Sequence, residues 1–180
     1  MKKIIIVIMF SLIANVSYAA TEKVYLKCKY IVTENRSTGS LADIFEVGNF
    51  GHIILTEILI GKKNTKIAVY RPFPDFDSID QSFNKKIEAA VTKRKAEVNG
   101  NSYTALHKMS VNTTDGGKWD TIDRYVFTKL DNEWSVKRRN LFRNDDIDIN
   151  YIAEGKCIIV DKKYYKNIIK KGPTSSDLEF

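Results

Sequence analysis

Two histidines, two cysteines and one cluster of acids are the residues of this 180-residue chain whose types could support chemistry. A Ser-His-Asp hydrolase could be assembled on paper from His107, Ser110 and an aspartate. Such a triad is defined by geometry, and the Gly-x-Ser-x-Gly turn that exposes a nucleophilic serine is absent. Neither His52 nor His107 has a cysteine pair or a close acid beside it, so neither carries a zinc signature. Asp146, Asp148 and Asn150 are spaced like the opening of a calcium loop. Tyr151 stands where the loop needs glycine and Cys157 where it needs the closing glutamate, which excludes an EF-hand. A strand explains the same spacing, with the polar residues on one face and Ile147, Ile149 and Tyr151 on the other. No residue is therefore assigned a catalytic or metal-binding role, and no cofactor motif is present.

Cys28 and Cys157 allow a single intramolecular pairing. Redox-active pairs sit close in sequence, as in C-x-x-C, and these two are far apart, so a structural disulfide is expected. It would tie the first strand of the domain to the last.

The basic residues form three groups. Lys93, Arg94 and Lys95 make the first, and Lys137, Arg138 and Arg139 the second. These six are expected to form a basic binding surface. Lys162, Lys163, Lys166, Lys170 and Lys171 make the third, mixed with Tyr164, Tyr165, Ile168 and Ile169. A net charge of +7 favours anionic partners.

The N-terminus places these residues in a compartment. Met1-Lys2-Lys3 is a short positive segment, and Ile4 to Ala14 is apolar apart from Ser11. Ser17 and Ala19 then supply small residues at a cleavage site. That order defines a secretory signal peptide over 1–19, cut between Ala19 and Ala20. The apolar run is shorter than the roughly 20 residues that span a bilayer, so no transmembrane anchor is expected after processing. Residues 20–169 are expected to form one domain, and 170–180, with Gly172-Pro173 and Ser175-Ser176, a disordered tail. Export favours disulfide formation and argues against a nucleic-acid partner.

The elements that must position these residues are mostly strands. Val24 to Thr33 alternates apolar and polar residues with a period of two. Ile53–Ile60 and Lys66–Arg71 flank a turn at Gly61-Lys62-Lys63-Asn64 and form a hairpin. One amphipathic helix is expected to begin at Asp77 or Ser78, with Ile79, Phe83, Ile87, Ala90, Val91 and Val98 at helical spacing and Gly100 as its stop. Tyr103 to Val111 follows as a strand. Ile122–Leu130 and Glu133–Phe142 flank Asp131-Asn132 in a second hairpin. Ile147–Ile152 and Lys156–Val160 flank Ala153-Glu154-Gly155 in a third. The fold class is mainly β (α+β by content): an antiparallel barrel or sandwich of about eight strands with one inserted helix. A half-open sheet with the helix in its concave face is the other arrangement this pattern allows.

The strand segment Tyr25-Leu-Lys-Cys-Lys-Tyr30 and the late Gly155-Lys156-Cys157 resemble the layout of small exported bacterial proteins of unknown function. The resemblance implies a β-rich, disulfide-closed domain and no known activity. Some periplasmic lysozyme inhibitors share the layout, but their target is basic and a basic inhibitor would repel it. The expected function is a non-enzymatic binding domain in the periplasm or outside the cell. Its partner would be an anionic envelope component, a small apolar ligand or a protein. An envelope hydrolase with an unrecognised site, or a secreted host-directed factor, is the alternative. Protein recovered from the periplasm or medium should begin at Ala20 by mass spectrometry; an intact Met1 species in that soluble fraction would exclude the cleavage.

Overall fold

The computed structural model describes residues 21–39, 42–48, 51–61, 64–70, 94–112, 118–144 and 147–171. The expected signal segment 1–19, most of the expected helix and residues 172–180 lie outside them. The strands are β1 (Glu22–Asn35), β2 (Gly51–Ile60), β3 (Lys66–Tyr70), β4 (Arg94–Lys95), β5 (Glu97–Asn99), β6 (Ser102–Asn112), β7 (Lys118–Leu130), β8 (Glu133–Arg143) and β9 (Asp148–Ile159). A short 3-10 turn spans Ala42–Phe45, and helix α1 spans Lys162–Lys171.

All nine strands lie in one antiparallel sheet, in the order β4-β3-β2-β1-β9-β8-β7-β6-β5. Strands at the two ends of that order come from one short stretch of chain. Arg94 and Lys95 pair with β3, while Glu97 to Asn99 pair with β6. Ala96 between them is buried, and its N–H donates to the Thr65 carbonyl at 2.8 Å. The sheet is therefore a nearly closed barrel of up-and-down connectivity, and strand alternation sends one set of side chains inward. Val24, Leu26, Cys28, Tyr30 and Val32 of β1 meet Ile54 and Ile58 of β2, Phe127 of β7 and Trp134 and Val136 of β8 in a single core. Phe45 stacks on Tyr151 at 4.8 Å, packing the 3-10 turn onto β9.

The seam between β1 and β9 carries the disulfide. Cys28 and Cys157 are direct partners in the ladder, with Cα atoms 3.9 Å apart. Tyr30 and Gly155 are partners two positions along. A Cβ on Gly155 would collide with the Lys29 carbonyl oxygen and the Tyr30 Cα, so glycine is what allows the backbones to approach. This overturns the third hairpin. Ala153-Glu154-Gly155 is no turn, and Asp148–Ile159 is one continuous strand.

Two further expectations change. Arg94–Lys95 and Glu97–Asn99 are strands, so the expected helix cannot extend to Val98, which lies in β5 and is 51% exposed. Gly100 does take the left-handed conformation, at φ +55, but it turns the β5–β6 hairpin between the paired Asn99 and Ser102. Lys170 and Lys171, assigned to a disordered tail, belong to α1. That helix begins where Asp161 Oδ1 accepts the Tyr164 N–H at 2.8 Å, an N-cap. Its Tyr165 and Ile168 pack with Tyr25 of β1 and Leu55 of β2 on the outside of the barrel.

The disulfide closes a span of 129 residues, which the chain-entropy treatment values at about 5 kcal/mol. The double variant Cys28→Ser/Cys157→Ser should melt well below the oxidised protein and be indifferent to reductant, whereas the wild type should fall toward it on reduction. Equal melting temperatures for all three species in thermal denaturation would remove the seam from any stabilising role.

Candidate functional site

β8 alternates strictly. Trp134, Val136, Arg138 and Asn140 are buried, while Lys137 and Arg139 are exposed. Arg138 therefore leaves the basic surface expected for it and enters the barrel, where it is 1% exposed. A buried cation needs partners, because desolvation disfavours its charged form. Its Nε donates to Asp123 Oδ1 at 2.9 Å and its Nη1 to the Tyr30 hydroxyl at 2.9 Å. Asn140 Nδ2 donates to the same Asp123 oxygen at 2.7 Å. The guanidinium carbon lies 5.4 Å from the ring centres of Tyr125 and Tyr151 and 5.9 Å from that of Tyr30, within cation–π range. Burial by itself would lower the Arg138 pKa, but the Asp123 charge foremost, with the surrounding tyrosine hydroxyls, holds it well above the usual arginine value. The guanidinium is a permanent charge.

His107 of β6 stands directly opposite Asp123 of β7 and is half-buried. The structure thus brings a histidine beside an aspartate. It sends Ser110 to the other face of β6, where its hydroxyl donates to Asp120 Oδ1 at 2.7 Å and lies exposed. That bond, followed by one from Lys118, lowers the Asp120 pKa. The hydrolytic triad on paper is dissolved by strand parity: residues 107 and 110 differ by an odd number and cannot share a face. Asp148 receives Nη2 of Arg143 at 2.7 Å and so serves a cross-strand ion pair. Of His52, the described structure fixes only its place in β2 opposite Tyr30.

Outside the barrel, the expected basic surface divides. Lys93 lies outside the described residues. Arg94 and Lys95 are exposed on β4, with Lys95 opposite Lys66. Lys137 and Arg139 are exposed on β8, and β9, β1, β2 and β3 intervene in the strand order between β8 and β4. The described exposed members of the two triplets, Arg94 and Lys95 on β4 and Lys137 and Arg139 on β8, therefore lie on separate surfaces. Lys162, Lys163, Lys166 and Lys170 line a shallow, open concavity along α1.

Register reveals cations that sequence spacing does not associate. Arg124 of β7 stands directly opposite Arg139 of β8. Lys29 of β1 stands directly opposite Lys156 of β9. All four are exposed. Like charges directly opposite in a sheet are destabilising. Some other exterior cations have an acid, with Lys137–Glu154 at 2.6 Å, Arg143–Asp148 at 2.7 Å, Lys118–Asp120 at 3.2 Å and Lys23–Glu57 at 3.6 Å, whereas the exposed Lys66 and Lys95 oppose each other across β3 and β4. No described carboxylate pairs with Arg124, Arg139, Lys29 or Lys156.

No protein family, curated protein or solved structure matches this chain.

Arg138→Met should cost about 3–5 kcal/mol in chemical denaturation, because it strands the buried Asp123 charge. Adding Asp123→Leu should recover most of that loss, since removing both charges of a buried pair is often close to neutral. Additive losses in the double variant would mean that the two side chains are not coupled.

Proposed function

We propose that the protein is an exported binding domain, without catalytic chemistry of its own, that recognises an anionic partner with the outside of its barrel. The observation that carries this reading is the contrast between the two settings of arginine. The inward Arg138 is matched by Asp123, Tyr30 and three aromatic rings. The outward Arg124 and Arg139 face each other with no described acid between them. A pairing that weakens the sheet yet leaves charge exposed is what an external anion would relieve.

Export is supported by the signal architecture of residues 1–19 and by the disulfide, which persists in oxidising compartments. No described helix is long and apolar enough to cross a membrane. A small apolar ligand inside the barrel is disfavoured. The inner wall around Arg138 is occupied by Tyr30, Tyr125, Tyr151 and Phe127, all buried. A hydrolase built on His107 and Asp123, which stand opposite each other, lacks Ser110 as its nucleophile, because Ser110 lies on the other face of β6.

The test is binding of the oxidised, processed protein to three immobilised anionic probes: a sulfated glycan, phosphatidylglycerol vesicles and an acidic protein. At least one should be bound at low ionic strength and released as salt shortens the screening length. Indifference to all three would remove the reading.

A further inference from the structure

We propose that the outer face of β7, β8, β9 and β1 is a docking surface for an anionic phospholipid bilayer. The proposal rests on the reading of the protein as a surface binder of anions and names its partner.

These four strands are consecutive in the sheet; helix α1 covers the Tyr25 and Lys27 end of β1 and leaves Lys29 and Ile31 exposed. Cross-strand register gives the surface its pattern. Arg124 lies between Leu106 of β6 and Arg139 of β8, and Arg139 lies opposite Ile152 of β9. One row along, Lys137 is opposite Glu154, which is opposite Ile31. In the next, Ser135 is opposite Lys156, which is opposite Lys29. In these three rows the face carries the basic residues Arg124, Arg139, Lys137, Lys156 and Lys29 about one acid, Glu154, while the further exterior acids Asp120, Glu133 and Asp148 lie toward the strand ends. Exposed aliphatic side chains accompany them, Ile158 of β9 at 46% and Ile31 of β1 at 43%, with Leu106 of the neighbouring β6 at 39% along its border.

The mixture selects the partner. A hydrated polyanionic glycan satisfies cations but has nothing apolar to cover isoleucine. A protein interface gathers apolar residues at its centre and is depleted of charge there. Here the cations are central and exposed aliphatic residues flank them. The headgroup layer of an anionic bilayer accepts both at one depth, since phosphates take the cations and the acyl boundary takes the aliphatic tips. Each Lys or Arg near such a surface strengthens attachment by about fivefold.

Co-sedimentation of the oxidised, processed protein with vesicles provides the test. One set is equal parts phosphatidylglycerol and phosphatidylcholine, the other phosphatidylcholine alone. Wild type should pellet with the first and not the second. Arg139→Glu should weaken binding by roughly 25-fold, the effect of two charge units at about fivefold each. It should also leave the melting temperature equal or higher, because it turns an Arg–Arg opposition into an Arg–Glu pair. Lys66→Glu makes the same charge change opposite Lys95, on the other side of the barrel, and should bind as wild type. Equal losses from Lys66→Glu and Arg139→Glu would reduce the effect to net charge and overturn the docking face. Binding to a sulfated glycan or an acidic protein but not to the anionic vesicles would overturn the lipid assignment and leave the anion-binding reading standing. Binding to none of the probes would overturn both.

Discussion

The β1–β9 ladder joins strands at opposite ends of the described chain, and the closure of the sheet depends on it. Every other strand pairs with a near neighbour in sequence, so hairpins can form locally. The pairing of β1 with β9 alone must bring residues 129 apart into register. Bringing such distant segments together costs loop-closure entropy that local contacts do not face. Two features of the ladder offset it. The disulfide at Cys28–Cys157 limits how far the ends can separate in the unfolded chain. Gly155 lets the β9 backbone lie against Tyr30 where a side chain would collide. With the seam formed, the stretch around Ala96 pairs with both remaining edges, Arg94 and Lys95 with β3 and Glu97 to Asn99 with β6.

Closing the barrel fixes what its interior can hold. A small barrel is filled by its own side chains, and parity forces every second residue inward whatever its type. Arg138 falls on an inward position of β8 between Val136 and Asn140. The charge is tolerated because Asp123 falls on an inward position of β7, with Asn140 directly opposite it. The stability gained from such a pair over apolar residues is small, and replacing both is often neutral. Its stronger effect is on register. Slipping β8 by one residue past β7 would send Arg138 outward and bring Lys137 and Arg139 in, leaving cations in an apolar core without their acid.

Alternation in the sequence made the strands and the first two hairpins legible, because one buried face writes a period of two. The disulfide was legible because two cysteines admit one pairing. Glycine misled where it had more than one use. Gly155 resembled a turn but serves close approach, and Gly100 resembled a helix stop but turns a hairpin. Helix α1 was hidden by lysines, though Asp161 as cap and Tyr165 and Ile168 one turn apart carried its signal. Arg138 was grouped with its neighbours as surface because three consecutive cations suggest a patch. In a strand the middle one must face away from the other two. The oppositions of Arg124 with Arg139 and Lys29 with Lys156 could not be read from spacing at all, since they exist only once register is set.

Charge on the barrel exterior is not random decoration. Where exterior cations meet acids, as at Lys137–Glu154 and Arg143–Asp148, the pairs join neighbouring strands and are consistent with the fold. Where cation meets cation, the sheet is weakened without any gain in packing. A glutamate at position 139 would serve the ladder better than arginine does. The fold itself therefore does not account for Arg139, whereas it does account for Arg138 one residue away. Two adjacent arginines thus divide the requirements on β8. The inward one is specified by the closed interior, whereas the outward one is left exposed, where the proposed anionic partner would engage it.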